Sequence, residues 1–376
     1  MPDDPFAWYR RLRENDPVYY HASAGIWFLT RYEDVQLVLQ GRSFSAALGQ
    51  RLRRRGTPLP LSMLNSDPPD HARLRAPAAK VFAARAVERR RDGVRAVVDA
   101  IVPELDDRDE LDLLGQFARP LSSRVLAELL DVPVDERERF ERLADEASAN
   151  LDPLAGPDAL AAALAAAEAL RAAFATYLET PRSRSELGIL DALGEECTRA
   201  GLARDELLTM LNLLVIGGYE PLANLVANAL AALLADPAQL RVLRSDPSLI
   251  GSAVEELLRY EAPVPVAARA PREKVAIGGK DIGAGEPVVV FLAAANHDPS
   301  VFAHPDRLDL RRRPNPHLAF GAGAHFCLGA PLARLVCREA ILAILDRFPN
   351  LSVAGALEWR PSLVPRGLRA LPVRTG

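Results

Sequence analysis

The chain has 376 residues, 49% hydrophobic and 26% charged, with 46 Lys+Arg against 50 Asp+Glu and a formal net charge of -4. That balance excludes a disordered chain, a collagen-like repeat and a small disulfide scaffold, and it gives no support to a nucleic-acid role. Cys197, Cys327 and Cys337 are too few and too irregularly spaced for a disulfide framework or a zinc ligand set, which points to a reducing compartment.

Residues 1–10 are acidic, hold two prolines and lack the regions of a secretory signal, so a cytoplasmic protein is expected. Alternation at Val18, Tyr20, Ile26 and Phe28 around Gly25 predicts a hairpin over 17–29. Helical periodicity then dominates from about 70 to 258, in segments 78–102, 120–130, 135–151, 158–178 and 204–234. Residues 207–234 are long enough to cross a bilayer. Asn212, Glu220, Pro221, Asn224 and Asn228 interrupt them, however, and predict a buried helix of a soluble protein with no membrane contact. After Pro263, β-rich pieces at 275–282 and 287–291 lie between Pro and Gly turns, and a last amphipathic helix covers 331–348. The expected fold is mostly α with small β-sheets: one unit over 1–376, β-rich near 17–30 and 263–315, helical through 70–260.

Residues 320–330 read Phe-Gly-Ala-Gly-Ala-His-Phe-Cys-Leu-Gly-Ala and precede Pro331, which can start a helix at its first position. Three glycines permit a tight loop that holds one thiolate at a fixed depth with backbone N–H groups aimed at the sulfur. Those donors and the helix N-terminus are expected to lower the thiol pKa. A soft, electron-rich ligand of this kind suits haem iron that must cleave O–O. Cys197 and Cys337 lie outside such a loop and read as structural.

The loop matches F-x-x-G-x-x-x-C-x-G at Phe320, Gly323, Cys327 and Gly329, and the chain resembles the soluble bacterial members of the cytochrome P-450 family from end to end. The resemblance implies the P-450 fold, haem b with Cys327 as axial ligand to iron, and monooxygenation with O2. Electrons would come from NAD(P)H through ferredoxin and ferredoxin reductase.

Glu256 and Arg259 sit three apart on a predicted helix and project to one side, as do Glu88 with Arg91 and Glu136 with Arg139, which read as exposed pairs. Because the Glu256 helix runs into Tyr260-Glu-Ala-Pro-Val-Pro265, it resembles the family's E-x-x-R helix. A buried Glu256–Arg259–Arg307 network bracing the cysteine loop is then implied. Arg311, Arg312 and Arg313 read as a solvated turn. His71 and Arg75 share a helix face expected to be capped near Asp67 or Asp70. The resemblance makes these two residues haem-propionate partners and puts Arg269 and His325 on the other carboxylate. His21, His297, His304 and His317 receive no such role.

Gly217-Gly-Tyr-Glu-Pro221 stands where the family has a small residue, Gly, any residue, an acid and Thr. Gly217 and Gly218 let a helix widen or approach a flat ligand, and Glu220 reads as a proton-delivery acid among apolar neighbours. Pro221 lacks the threonine hydroxyl, and its ring opposes the Gly217 carbonyl. O2 is expected to bind, with protons arriving through Glu220 and water, Asn224, or a hydroxyl of the substrate. The missing threonine also raises a peroxide-driven, oxidative-coupling or desaturating variant; a haem sensor or carrier is the rival from another class. Met63, Leu64, Val264, Val266 and Ala267, with segment 46–64, the helices between 144 and 178 and the turn 217–224, are expected to line a pocket. A mid-sized apolar or amphipathic natural-product intermediate suits that lining. Arg73 and Arg334 are candidate contacts for an acidic ferredoxin.

Overall fold

Alanine and leucine dominate the middle of the chain, where intrinsic helix propensity and the apolar period agree. The computed structural model describes residues 5–48, 60–105, 109–179 and 185–376. Helices Arg119–Leu129, Arg137–Ser148, Pro157–Tyr177 and Arg204–Ala235 begin and end within three residues of the bounds expected from periodicity. The segment 78–102 does not form one helix; the chain there makes Asp70–Val81, Ala84–Glu88 and Arg91–Ile101. Phe82 and Val87 are both buried, yet five residues apart they would point to different sides of one straight helix. Extended backbone at Ala83 turns both inward.

The 32-residue helix Arg204–Ala235 is the axis of the core. It packs against Arg119–Leu129, Arg137–Ser148, Pro157–Tyr177 and the last helix, Ala330–Arg347. Leu211, Val215, Ala223, Val226 and Leu230 are buried along it, as expected for the long apolar stretch.

The main sheet contains β1 (Val18–His21), β2 (Ile26–Leu29), β3 (Phe44–Ser45), β5 (Val266–Pro271) and β8 (Val288–Phe291), in the order β1-β2-β8-β5-β3. Only β2 and β8 pair in parallel; β1–β2 is the expected hairpin, with Val18 opposite Leu29. A smaller sheet orders β4 (Glu110–Asp112), β10 (Pro372–Arg374) and β9 (Ser352–Val353). Residues 275–282 split into β6 (Val275–Ile277) and β7 (Lys280–Ile282), which turn at Gly278 and Gly279 with φ of 57° and 77°. β5 carries Arg269 opposite Val288 and thereby sets it inside the molecule.

The paired glycines of the long helix differ in surroundings. A Cβ at Gly218 would stand 3.2 Å from Leu126 Cδ2, whereas one at Gly217 would meet nothing within 4 Å. Gly218 is thus a helix-packing residue and Gly217 borders open space. Gly218→Val should destabilise the fold by about 1–3 kcal/mol through overpacking, whereas Gly217→Ala should be neutral or stabilising by up to about 1 kcal/mol. Denaturant melts of the two variants check the contrast.

Candidate active site

The cysteine loop is anchored by backbone geometry. Gly321 and Gly323 have φ of 70° and 71°, and a Cβ at Gly323 would lie 2.6 Å from the carbonyl oxygen of Leu39. Only glycine permits that approach, which pins the loop to the end of helix Tyr32–Gln40. The Cys327 N–H donates to the Phe320 carbonyl at 2.9 Å, and the N–H groups of Gly329 and Ala330 donate to its sulfur. Pro331 lies in the first turn of helix Ala330–Arg347, as expected. The thiol pKa does not fall, however. Burial pushes it up and outweighs the opposing donors, Arg75 and Arg334. The loop therefore prepares a thiolate without generating one, and a metal cation held there would stabilise the thiolate, with its proton released to solvent. Cys197 and Cys337 are buried, with thiols pushed up by burial to about 11 and about 12, as suits unreactive structural residues.

Beside the loop lies a cluster of two arginines and two histidines with no carboxylate free to pair with them. The rings of His71 and His325 are 4.1 Å apart between centroids, and His71 Nε2 is buried without a hydrogen-bond partner. Arg75 donates to the Phe326 carbonyl. Arg269 is 8% exposed and bonds the neighbouring Ala268 carbonyl at 2.7 Å; among the described residues it has no ion-pair partner. Burial lowers its guanidinium to about 10, and burial together with Arg269, His71 and Arg75 drives His325 down to about 3. Asp67, the carboxylate that acts on this cluster among the described residues, is occupied by the Ser45 hydroxyl, the Ala46 N–H at 2.9 Å and Arg272 at 2.8 Å. Asp67 therefore caps nothing: the helix begins after Pro69 without a side-chain cap, and Asp70 is its first residue. Four donors without a counter-charge fit a group that brings its own carboxylates, and the sulfur beside them fits a metal within that group.

Behind the loop, Arg259 is completely buried and bidentate to Glu256, with both N···O distances 2.8 Å. It also donates to the carbonyls of Asn296 (2.9 Å), Pro305 (2.7 Å) and Arg307 (3.2 Å). The implied third member needs correction, because Arg307 contributes only its carbonyl and its side chain is exposed. Arg312 takes that place, with Nε 3.0 Å from both Glu256 oxygens, and so it is not part of a solvated turn. The reason is alternation: Leu308 and Leu310 face the core, and Arg312 follows the same parity while Arg307, Asp309 and Arg311 face out. The Asn296 side chain continues the brace by accepting the Leu318 N–H at 2.6 Å.

On the long helix, Glu220 does not sit among apolar groups. Arg360 at 2.6 Å, Arg119 at 3.1 Å and Asn224 Nδ2 at 2.8 Å surround its carboxylate. Burial alone would raise this carboxyl, but these partners win and hold it below the ordinary glutamate range. Asn224 also donates to the Glu220 carbonyl at 2.7 Å and accepts from Arg360 at 2.9 Å. Pro221 cannot donate to the Gly217 carbonyl, yet the helix runs through it without a break. Arg119 and Arg360 were not legible as partners; each is more than 100 residues from Glu220 in sequence.

The pocket candidates divide. Val264, Val266 and Ala267 are half-buried around the start of β5, Met63 is buried in the main core, and Leu64 is 43% exposed. Residues 49–59 of the segment 46–64 lie outside the described residues. Both candidate docking arginines are already ion-paired: Arg73 is bidentate to Glu206 (2.6 and 3.0 Å) and Arg334 to Glu255 (2.7 and 2.8 Å). Glu255 also accepts from His317 at 3.0 Å, a role for that histidine that the sequence did not signal.

A glycine-shaped cysteine loop, a buried glutamate–arginine brace and a cluster of uncommitted arginine and histidine donors beside the loop suit a haem-thiolate protein. A family model described as cytochrome P450 matches residues 166–354. The chain is 39% identical to cytochrome P-450 107B1 of Saccharopolyspora erythraea over all of this chain and 97% of that one. It is also 39% identical to the monooxygenase PikC of Streptomyces venezuelae, covering 99% and 91% of the two chains. Among solved structures, the P-450 BioI in complex with acyl carrier protein ligated to hexadec-9Z-enoic acid superposes with a TM-score of 0.88. Identity there is 33% over 99% of this chain and 98% of that one. The protein belongs to the cytochrome P-450 family, whose members bind haem through a cysteine thiolate, and like its named relatives it is an oxidoreductase of the monooxygenase class.

Arg259→Ala leaves Glu256 buried with fewer partners and should cost about 3–5 kcal/mol, with most haem lost on purification. Arg312→Ala should lower the melting temperature, and Arg307→Ala should not, since its contribution is a main-chain carbonyl. Burial would raise the Glu255 carboxyl, but His317 and Arg334 overcome it and hold the group down at about 2, below its ordinary 4.5. Its stabilisation is therefore complete above about pH 4.5 and lost between there and about pH 2. Melting curves of the wild type and Glu255→Gln should differ at neutral pH and converge as the pH approaches 2.

Proposed function

We propose that the protein inserts one atom of O2 into a mid-sized apolar or amphipathic organic molecule, a natural-product intermediate, with electrons from NAD(P)H through ferredoxin and its reductase in the cytoplasm. The observation that carries this reading is the conjunction of the Cys327 loop with the neighbouring His71, Arg75, Arg269 and His325, which have no carboxylate free to pair with them. Bound haem supplies O2 activation, in which the second oxygen atom leaves as water at the cost of two electrons and two protons. Cys327 would ligate the iron, Phe320, Gly323 and Gly329 shape its loop, and His71, Arg75, Arg269 and His325 would hold the propionates, the arginines by charge and the histidines as hydrogen-bond donors. The half-buried Val264, Val266 and Ala267 suit an apolar substrate. The acyl chain carried by the BioI complex is amphipathic in the same sense.

Proton handling falls to Glu220, Asn224 and the Gly217 carbonyl. Pro221 leaves that carbonyl without its helical donor, and a water or a substrate hydroxyl can donate to it. Glu220 is held as a carboxylate by Arg360 and Arg119, so it accepts a proton from solvent only as those contacts loosen and then passes it inward. An acidic ferredoxin docking beside Cys327 must compete with Glu206 for Arg73 and with Glu255 for Arg334.

With ferredoxin, reductase and a compound that shifts the haem spin state, NAD(P)H consumption should depend on the added compound and yield a product one oxygen heavier by mass spectrometry. Turnover with peroxide alone, or a product lacking the added oxygen, would indicate the peroxide-driven, coupling or desaturating variants. Haem binding without turnover would leave a sensor or carrier. Pro221→Thr should raise product formed per NAD(P)H severalfold; no gain would remove Pro221 from proton delivery.

A further inference from the structure

Glu255 precedes the buried brace residue Glu256 but faces another partner set. Arg334, in the second turn of helix Ala330–Arg347, forms a bidentate pair with Glu255 and lies 4.7 Å from the centroid of the Phe320 ring. The Phe320 carbonyl accepts the Cys327 N–H at 2.9 Å. One guanidinium thus touches the ring whose main chain holds the cysteine, and its charge also acts directly on the sulfur. On the far side of Glu255, His317 Nε2 lies at 3.0 Å, while His317 Nδ1 accepts the Ala319 N–H at 3.2 Å. That acceptor role assigns the ring proton to Nε2, so His317 donates to Glu255 as a neutral ring. The triad accordingly contains one positive and one negative charge. Glu255 also lines a surface cleft of about 510 Å³ with Ser248, Ser252, Arg312 and Asn315, while Arg334 is the member of the pair that touches Phe320.

We infer that Arg334 and Glu255 form a charge pair that sets the reduction potential of the thiolate-bound iron, with Arg334 favouring the reduced state and Glu255 attenuating it. Reduction adds one negative charge to the iron–sulfur unit. A cation oriented toward that unit stabilises the added charge, and an anion behind the cation weakens the effect. Arg334 is therefore a positioning residue, acting on the iron through Phe320 and through its field. Its pairing with Glu255 also means that a docking acidic partner that draws Arg334 away would change the potential at the moment of electron transfer.

This inference rests on Cys327 being the iron ligand, and one set of measurements separates the two claims. The carbon monoxide spectrum of the reduced protein reports the ligand, and spectroelectrochemical titration reports the potential. Arg334→Gln should lower the potential and Glu255→Gln should raise it, each by about three- to tenfold in the reduction equilibrium, tenfold being ~59 mV for one electron. Arg334→Lys, which keeps the charge, should remain within about twofold of the wild type. A purely structural role would move both neutral variants in one direction or convert both to the spectrum of a lost thiolate, and either result overturns the inference. If Arg334→Gln fails to retain haem, Glu255→Gln and Arg334→Lys still decide it: an unchanged or lowered potential in the former refutes the proposal. A wild type without the thiolate spectrum would refute the ligand assignment itself.

Discussion

The buried ion pair between Glu256 and Arg259 holds a stretch of chain that has little regular structure to hold itself. Between Asn296 and Phe320 there is no strand and no α-helix, so main-chain hydrogen bonds cannot fix its course as they do inside helices and sheets. Arg259 instead gathers the carbonyls of residues 296, 305 and 307 around one guanidinium, while Glu256 collects Arg312, Asn315 and the Asp309 N–H. Each partner offsets the desolvation of the others, and the satisfied network becomes a rigid template. The cysteine loop starts where that template ends. The fixed depth of the sulfur is thus inherited from a charge pair on a helix some seventy residues earlier.

Charge compensation distinguishes bracing from binding in this molecule. Glu256, Glu220 and Glu261 are buried and each lies against arginine, so these buried carboxylates are already satisfied. His71, Arg75, Arg269 and His325 reverse the pattern, with two guanidinium groups and two imidazoles gathered near a carboxylate, Asp67, that is itself committed. A folded chain tolerates such an imbalance only where something else supplies the anion. The cluster beside the cysteine loop is therefore recognisable by what its residues lack from one another. The brace is recognisable by completeness.

Legibility from sequence followed range. The hairpin, the long helix, the cysteine loop and the His71–Arg75 face rest on spacings of ten residues or fewer, which periodicity and turn chemistry resolve. Resemblance points to Arg307 and leaves Arg312 in a solvated turn, whereas alternation through Leu308 and Leu310 is what turns Arg312 inward. The break after Val81 depended on where Phe82 and Val87 found room, a tertiary matter. Glu220 looked isolated among its neighbours in sequence, and its partners Arg119 and Arg360 approach from distant segments. Buried electrostatics is a property of assembled surfaces, and one strand of text carries little of it.

The contact between Gly367 and Asn224 has a consequence for how the protein can vary. A methyl group at position 367 would fall 1.7 Å from Asn224 Oδ1 and 2.9 Å from Arg360, so any side chain there evicts the amide from its place beside Glu220. The two sites can drift only in concert, with a smaller residue at 224 appearing before anything larger at 367. Libraries that randomise the C-terminal tail while leaving the central helix untouched will spend most of their members on this single collision, and productive diversity lies in co-varying both.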